Sequence, residues 1–259
     1  MRRTFNSILF LCVFILMGTT SLTYAGLIIT EVDGGKVVVS KGKLKSVSPD
    51  DPHVTVLDAN SGTLTVMDMS KKTYASGTVD EFCKGFKNSL QKVMEGIPPE
   101  QRKMMEQYMA QMKQQGGGVE SVRVARSGKG KTVAGYETVR FTVTRNGELY
   151  EEHYVTSDRS LLKEFGDFAK FSRTFSRMEA CLSDAMSGVP TNAPETSPEY
   201  RKISEAGYTL LVVNYSTGTP RVEEEVVKIE KKSIPPSEFL PPEGFREVSF
   251  SEMIEFERE

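Results

Sequence analysis

Between Leu27 and Tyr74 the chain is cut every few residues by a turn signal. Asp33-Gly34-Gly35, Pro49-Asp50-Asp51-Pro52 and Asp58-Ala59-Asn60-Ser61-Gly62 separate runs rich in β-branched residues. The runs are Leu27 to Thr30, Lys36 to Ser46 around Val37-Val38-Val39, His53 to Leu57, Thr63 to Met67 and the shorter Lys72 to Tyr74. Gly, Pro and Asp supply turn conformations, and β-branched side chains favour pleated backbone. Short strands in close succession predict an antiparallel meander.

The period then changes from two to 3.6. Thr78 followed by Glu81 forms a capping box, and Val79, Phe82, Cys83, Phe86, Leu90, Val93 and Met94 recur at helical spacing. Pro98-Pro99-Glu100 opens a second helix that runs to Gln115, and Gly116-Gly117-Gly118 ends it. Strands resume at Val119 to Arg126 and Tyr136 to Arg145. Asn146-Gly147 predicts a tight hairpin returning through Glu148 to Thr156. Ser157 or Asp158 caps a long helix reaching Ser187, with Leu161, Leu162, Phe165, Phe168, Phe171, Phe175, Met178 and Leu182 on a wide apolar stripe. A short helix at Pro198 to Ala206, strands at Tyr208 to Tyr215 and Val222 to Lys231, and an extended tail held by Pro235-Pro236 and Pro241-Pro242 complete the chain. Strand blocks interrupted by two helical insertions make one α+β domain over residues 26–259, its antiparallel sheet covered on one face.

The first 25 residues read differently. Arg2 and Arg3 precede an apolar run of ten residues from Ile8 to Met17, and small residues lead to Thr23-Tyr24-Ala25. Ten residues are too few to span a bilayer core of about 30 Å at about 1.5 Å per residue. This is the pattern of a secretory signal peptide cleaved after Ala25, and it places the protein in the periplasm or outside the cell. Cys12 sits inside the apolar run, not after a small residue at its end, so the segment does not read as a lipoprotein signal. Removing it takes two Arg and no acid, so the formal charge moves from −2 to −4, and no later stretch is apolar enough for an integral membrane segment. Cys83 and Cys181 then remain, 98 positions apart, as a disulfide in an oxidising compartment or as two buried thiols.

Several chemistries have little support. The near-neutral charge argues against nucleic acid, and two His cannot build a three-imidazole site. Ser127-Gly128-Lys129-Gly130-Lys131-Thr132 lacks the first Gly of a phosphate loop and joins two strands, so it reads as an exposed basic hairpin tip. His153 beside Glu151 and Glu152 has no metal-ligand spacing and reads as a solvated His. No G-x-S-x-G elbow is present. The chain is therefore read as a non-enzyme with no cofactor and no metal. Met94, Met105, Met109 and Met112 fit ordinary core, an adaptable apolar surface or soft Cu(I) ligation. Phe165, Phe168 and Phe175 fit core or the edge of an apolar cavity.

Gly135-Tyr136-Glu137-Thr138, Glu225-Val226-Val227-Lys228-Ile229 and Pro235-Pro236-Ser237-Glu238-Phe239 with Pro242-Glu243-Gly244-Phe245 carry a resemblance. Over about residues 27–245 the chain is similar to exported bacterial proteins grouped as DUF4412, a domain of unknown function. Those in turn resemble periplasmic lipoprotein carriers of the LolA, LolB and LppX type, although the lipid-anchored members have a lipobox that this chain lacks. The resemblance implies a curved, incomplete antiparallel barrel whose concave face is lidded by helices. It also implies an apolar or acylated ligand held between sheet and lid. Cavity candidates are Phe82, Phe86, Met94, Met105, Met109, Met112, Phe165, Phe168 and Phe175. The competing expectation is a non-catalytic envelope module with a dry core that binds a protein partner.

Overall fold

A computed structural model describes residues 25–101, 103, 104, 107, 121–185 and 197–254. The order of elements expected from the sequence holds at the start. The strands β1 (Ala25–Glu31), β4 (His53–Asp58), β5 (Thr63–Asp68) and β6 (Thr73–Thr78) form where turn signals bound them. The run Lys36 to Ser46 is not one strand, however. It folds back as β2 (Lys36–Ser40) and β3 (Lys43–Val47) because Lys41 and Gly42 both take positive φ, 51° and 78°. That backbone twist matches the twist of paired strands, and Asn146-Gly147 repeats it with φ of 54° and 87°. The second pair joins β8 (Val139–Arg145) to β9 (Glu148–Thr156), after β7 (Val122–Lys129).

Helix α1 (Val79–Gly96) begins at the expected capping box. Thr78 Oγ1 accepts from Glu81 N at 3.2 Å, and Glu81 Oε2 accepts from Thr78 N at 2.7 Å. The expected second helix is seen at its start, over residues 99–101, but Met105, Tyr108, Met109 and Met112 lie outside the described residues, as does the expected signal segment before Ala25. The long helix expected after Asp158 is two helices. α2 (Arg159–Leu162) passes into a 3-10 turn at Lys163–Phe165, and Gly166 with φ 71° breaks the axis before α3 (Phe168–Ala185). A 3-10 turn at Pro198–Tyr200 leads into α4 (Arg201–Ala206), then β10 (Tyr208–Asn214) and the long β11 (Arg221–Ser233). The expected extended tail is shaped and packed. Pro236–Phe239 form a 3-10 turn, Ile234 and Phe239 are buried, and β12 (Arg246–Glu247) and α5 (Phe250–Met253) follow.

The twelve strands of the described residues lie in one sheet, in the order β12-β6-β5-β4-β3-β2-β1-β11-β10-β9-β8-β7. Every pairing is antiparallel except β12 on β6, where Arg246 and Glu247 lie beside Thr73 and Tyr74. The sheet is therefore mixed, a correction to the all-antiparallel expectation. It arises because the C-terminal tail returns to the β6 edge instead of leaving it. Among the described residues β7 and β12 do not pair, so the sheet is not closed into a barrel.

Strand alternation divides the core. Leu27, Ile29, Val37 and Val39 belong to one cluster, which Leu161, Phe165 and Phe171 enter from the helical segments. Their strand neighbour Val38 joins Val54, Val56 and Met67 on the opposite face, under Ile234 and Phe239. In a third cluster Val124, Phe141, Val143 and Val155 pack with Ile203 of α4. The fold is thus α+β, dominated by its sheet.

Candidate functional site

The residues expected to line a cavity divide into two aromatic groups and a set of half-buried positions. Phe165 is 0 % exposed, and its ring meets Phe168, Phe171 and Tyr208 at centroid distances of 5.5, 5.3 and 5.1 Å. Gly166 allows this convergence: its reversal turns the chain so that Phe165, at the end of one segment, faces Phe168 and Phe171 of the next. Tyr208 arrives from β10, and burial pushes its hydroxyl pKa up, so it remains protonated. The second group is Phe82, stacked with Phe86 at 6.4 Å and set edge-on to Phe250 of α5 at 5.5 Å.

Between these groups the apolar stripes are only partly covered. On α1 the fully buried residues are Val79, Gly85 and Ser89. Phe82, Phe86, Leu90, Val93 and Met94 are half-buried. On α3 Phe168 and Met178 are half-buried, and Phe175, stacked on Phe171, is 42 % exposed. The two helices meet directly. Cys83 and Cys181 form a disulfide with their Cα atoms 5.9 Å apart, and Arg177 pairs with Asp80. Of the two readings open for the cysteines, the bridge is the one present.

The reading of His153 as solvated is corrected: it is 6 % exposed. Its Nε2 lies 2.9 Å from Glu151 Oε2 and 3.0 Å from the Tyr200 hydroxyl. Tyr200 in turn donates to Glu151, and Asn214 Nδ2 donates to the other carboxylate oxygen at 3.3 Å. On the opposite face of β9, Glu152 accepts from Tyr154, Tyr215 and Arg140 at 3.0, 3.1 and 3.2 Å. Desolvation and then the Glu152 carboxylate raise both tyrosine pKa values, which keeps them as donors. The Glu151-Glu152-His153 run is visible in the sequence. Tyr200, Asn214, Tyr215 and Arg140 could not be assigned to it, because they come from other elements.

Among the described residues no group of three or more His, Cys, Asp or Glu is placed to hold a metal ion. No helix there is long and apolar enough to cross a membrane. The basic tip at Ser127 to Thr132 borders an open groove of about 370 Å³, lined by Arg126, Lys129, Glu137 and Thr138 among others. None of the candidate cavity residues among the described ones lines it.

The model of a family described as a domain of unknown function (DUF4412) matches residues 67–245, more than half of the chain. No curated protein matches it.

Proposed function

The chain belongs to the DUF4412 family, and from that premise we propose that it is an exported binding or carrier protein for a lipid or an acylated polypeptide. In this reading the sheet is the wall of a half-open barrel of the LolA and LppX kind, and α1 and α3 are its lid. The first 25 residues act as a cleaved signal peptide, and the protein works in the periplasm or outside the cell. It is not an enzyme.

One observation carries the reading. Two 18-residue amphipathic helices stand beside one core face, yet most of their large apolar side chains are only half-buried. A helix used solely as core cover spends its apolar stripe on burial. Here Phe86, Leu90, Met94 and Phe175 retain surface that an acyl chain could cover. Each further buried methylene contributes about 0.8 kcal/mol, so a long acyl chain supplies ample driving force.

The second reading, a non-catalytic envelope module with a dry core, draws on the ring packing around Phe165, where helix and sheet already fill the space between them. Titration of delipidated protein with a fluorescent fatty acid separates the two. The carrier reading expects saturable binding that unlabelled fatty acid competes away and that Phe86→Asp weakens. Absence of binding favours the dry-core module.

A further inference from the structure

We infer that the Cys83–Cys181 disulfide is a redox-operated clasp on the α1–α3 pair. When closed it holds the apolar stripes together against the sheet, and when reduced it releases them. The inference rests on the carrier reading, because the stripes are the ligand surface proposed above.

The bond adds a covalent tie to the side-by-side packing of the two helices. They run in the same direction where they meet: Asp80 pairs with Arg177, and farther along both helices Cys83 bonds Cys181. The ion pair is solvent-exposed at both ends, with 64 % and 68 % of the side chains accessible, and such pairs hold weakly. At the start of α1 Val79 is buried and Phe82 packs against the strand core. Gly85 and Ser89 are covered by the C-terminal segment: a Cβ on Gly85 would lie 2.5 Å from Phe250 Cβ, and Ser89 Oγ donates to the Ser251 carbonyl at 2.9 Å. Among the described side chains of α3 the buried ones are Phe171 and Ser172, at its beginning, well before Cys181. Without the bridge, the Cys181 end of α3 loses its covalent hold on α1. The strand ladders involve neither cysteine, so the sheet can persist.

Both cysteines are half-buried, so a small thiol can reach them. A dithiol reductant supplies two electrons. Its thiolate attacks one cysteine sulfur, the S–S bond breaks and a mixed disulfide forms. The second thiol of the reductant displaces that cysteine, leaving Cys83 and Cys181 as two thiols and the reductant as its own disulfide.

The test is hydrogen exchange read by mass spectrometry on the full protein, oxidised and after dithiothreitol, beside uptake of a fluorescent fatty acid by the same samples. The Cys83→Ser/Cys181→Ser variant is a second sample, and chemical reduction of folded wild type serves if that variant fails to fold. The expected result is exchange about tenfold faster in α1 and α3, unchanged exchange in β4 and β5, and faster fatty-acid uptake. Unchanged helix exchange overturns the clasp. Equal acceleration in β4 and β5 also overturns it, making the bond a global staple. Faster helix exchange with equal uptake by both forms overturns the gating and leaves the carrier reading standing. Faster helix exchange with no fatty-acid binding in either form overturns the carrier reading and leaves the mechanical clasp.

Discussion

The Tyr200 hydroxyl donates to the carboxylate of Glu151, and His153 Nε2 lies within hydrogen-bonding distance of both. This contact ties β9 to the Pro198–Tyr200 turn and so holds Ile203 of α4 over Val124, Phe141, Val143 and Val155. It is reinforced at the β7 edge, where Glu199 accepts from Val124 N at 3.2 Å.

Tyr200→Phe removes one donor from a buried carboxylate and leaves the ring in place. A buried acceptor deprived of a partner costs about 1–3 kcal/mol. Urea denaturation should show a loss of that size, with faster exchange confined to α4 and β7. A loss below about 0.5 kcal/mol would mean that His153 and Asn214 suffice for Glu151.

Gly85→Ala puts a methyl group where Phe250 Cβ stands 2.5 Å away, with the Phe250 carbonyl carbon at 3.2 Å. The helix itself gains from Ala, by about 1 kcal/mol in intrinsic propensity, so the outcome depends on the tail. Phe250 sits at the start of α5, and its displacement also breaks the edge-on contact with Phe82. Limited proteolysis should cut the variant sooner between Arg246 and Met253 than wild type, while α1 keeps its circular dichroism.

The caps of α1 and α2 predict an acid response with a definite sign. Hydrogen bonds from the Thr78 backbone and hydroxyl hold the Glu81 carboxyl below its usual range, and those from the Ser160 hydroxyl and backbone do the same for Asp158. A depressed folded pKa means that the carboxylate stabilises the fold above its ordinary unfolded value. That contribution is lost as pH falls through the lower folded value. Thermal melts from pH 6 downward should fall more shallowly in Glu81→Gln than in wild type below about pH 4.5. Parallel slopes would show that this cap contributes nothing to acid sensitivity.

Much of the fold was legible in the sequence because it rests on local rules. The Thr78–Glu81 capping box marks the start of α1, and Asn146-Gly147 marks the β8–β9 hairpin. The Lys41-Gly42 turn is not legible in the sequence because Lys is a rare occupant of a positive φ, which hides the break between β2 and β3. The break at Gly166 is hidden because apolar spacing continues across it from Phe165 to Phe168, so two helical segments read as one. The aromatic candidates on α1 and α3 were visible as stripes. The share of each stripe used up in core contact was not, since burial depends on what faces it.

The sequence by itself determined the short strands, the capped first helix, and the pairing of apolar periodicity with a sheet-rich fold. Each follows from interactions within a few residues: turn conformations, capping hydrogen bonds and side-chain alternation. Only the tertiary structure decided that β11 lies between β1 and β10, that the tail returns parallel to β6, that Cys83 meets Cys181, and that His153 is enclosed with Tyr200. The β1–β11, β6–β12, Cys83–Cys181 and His153–Tyr200 contacts join residues from 47 to 208 positions apart. No local pattern encodes them. They are selected by the burial and hydrogen bonding that the whole sheet makes possible once it has formed.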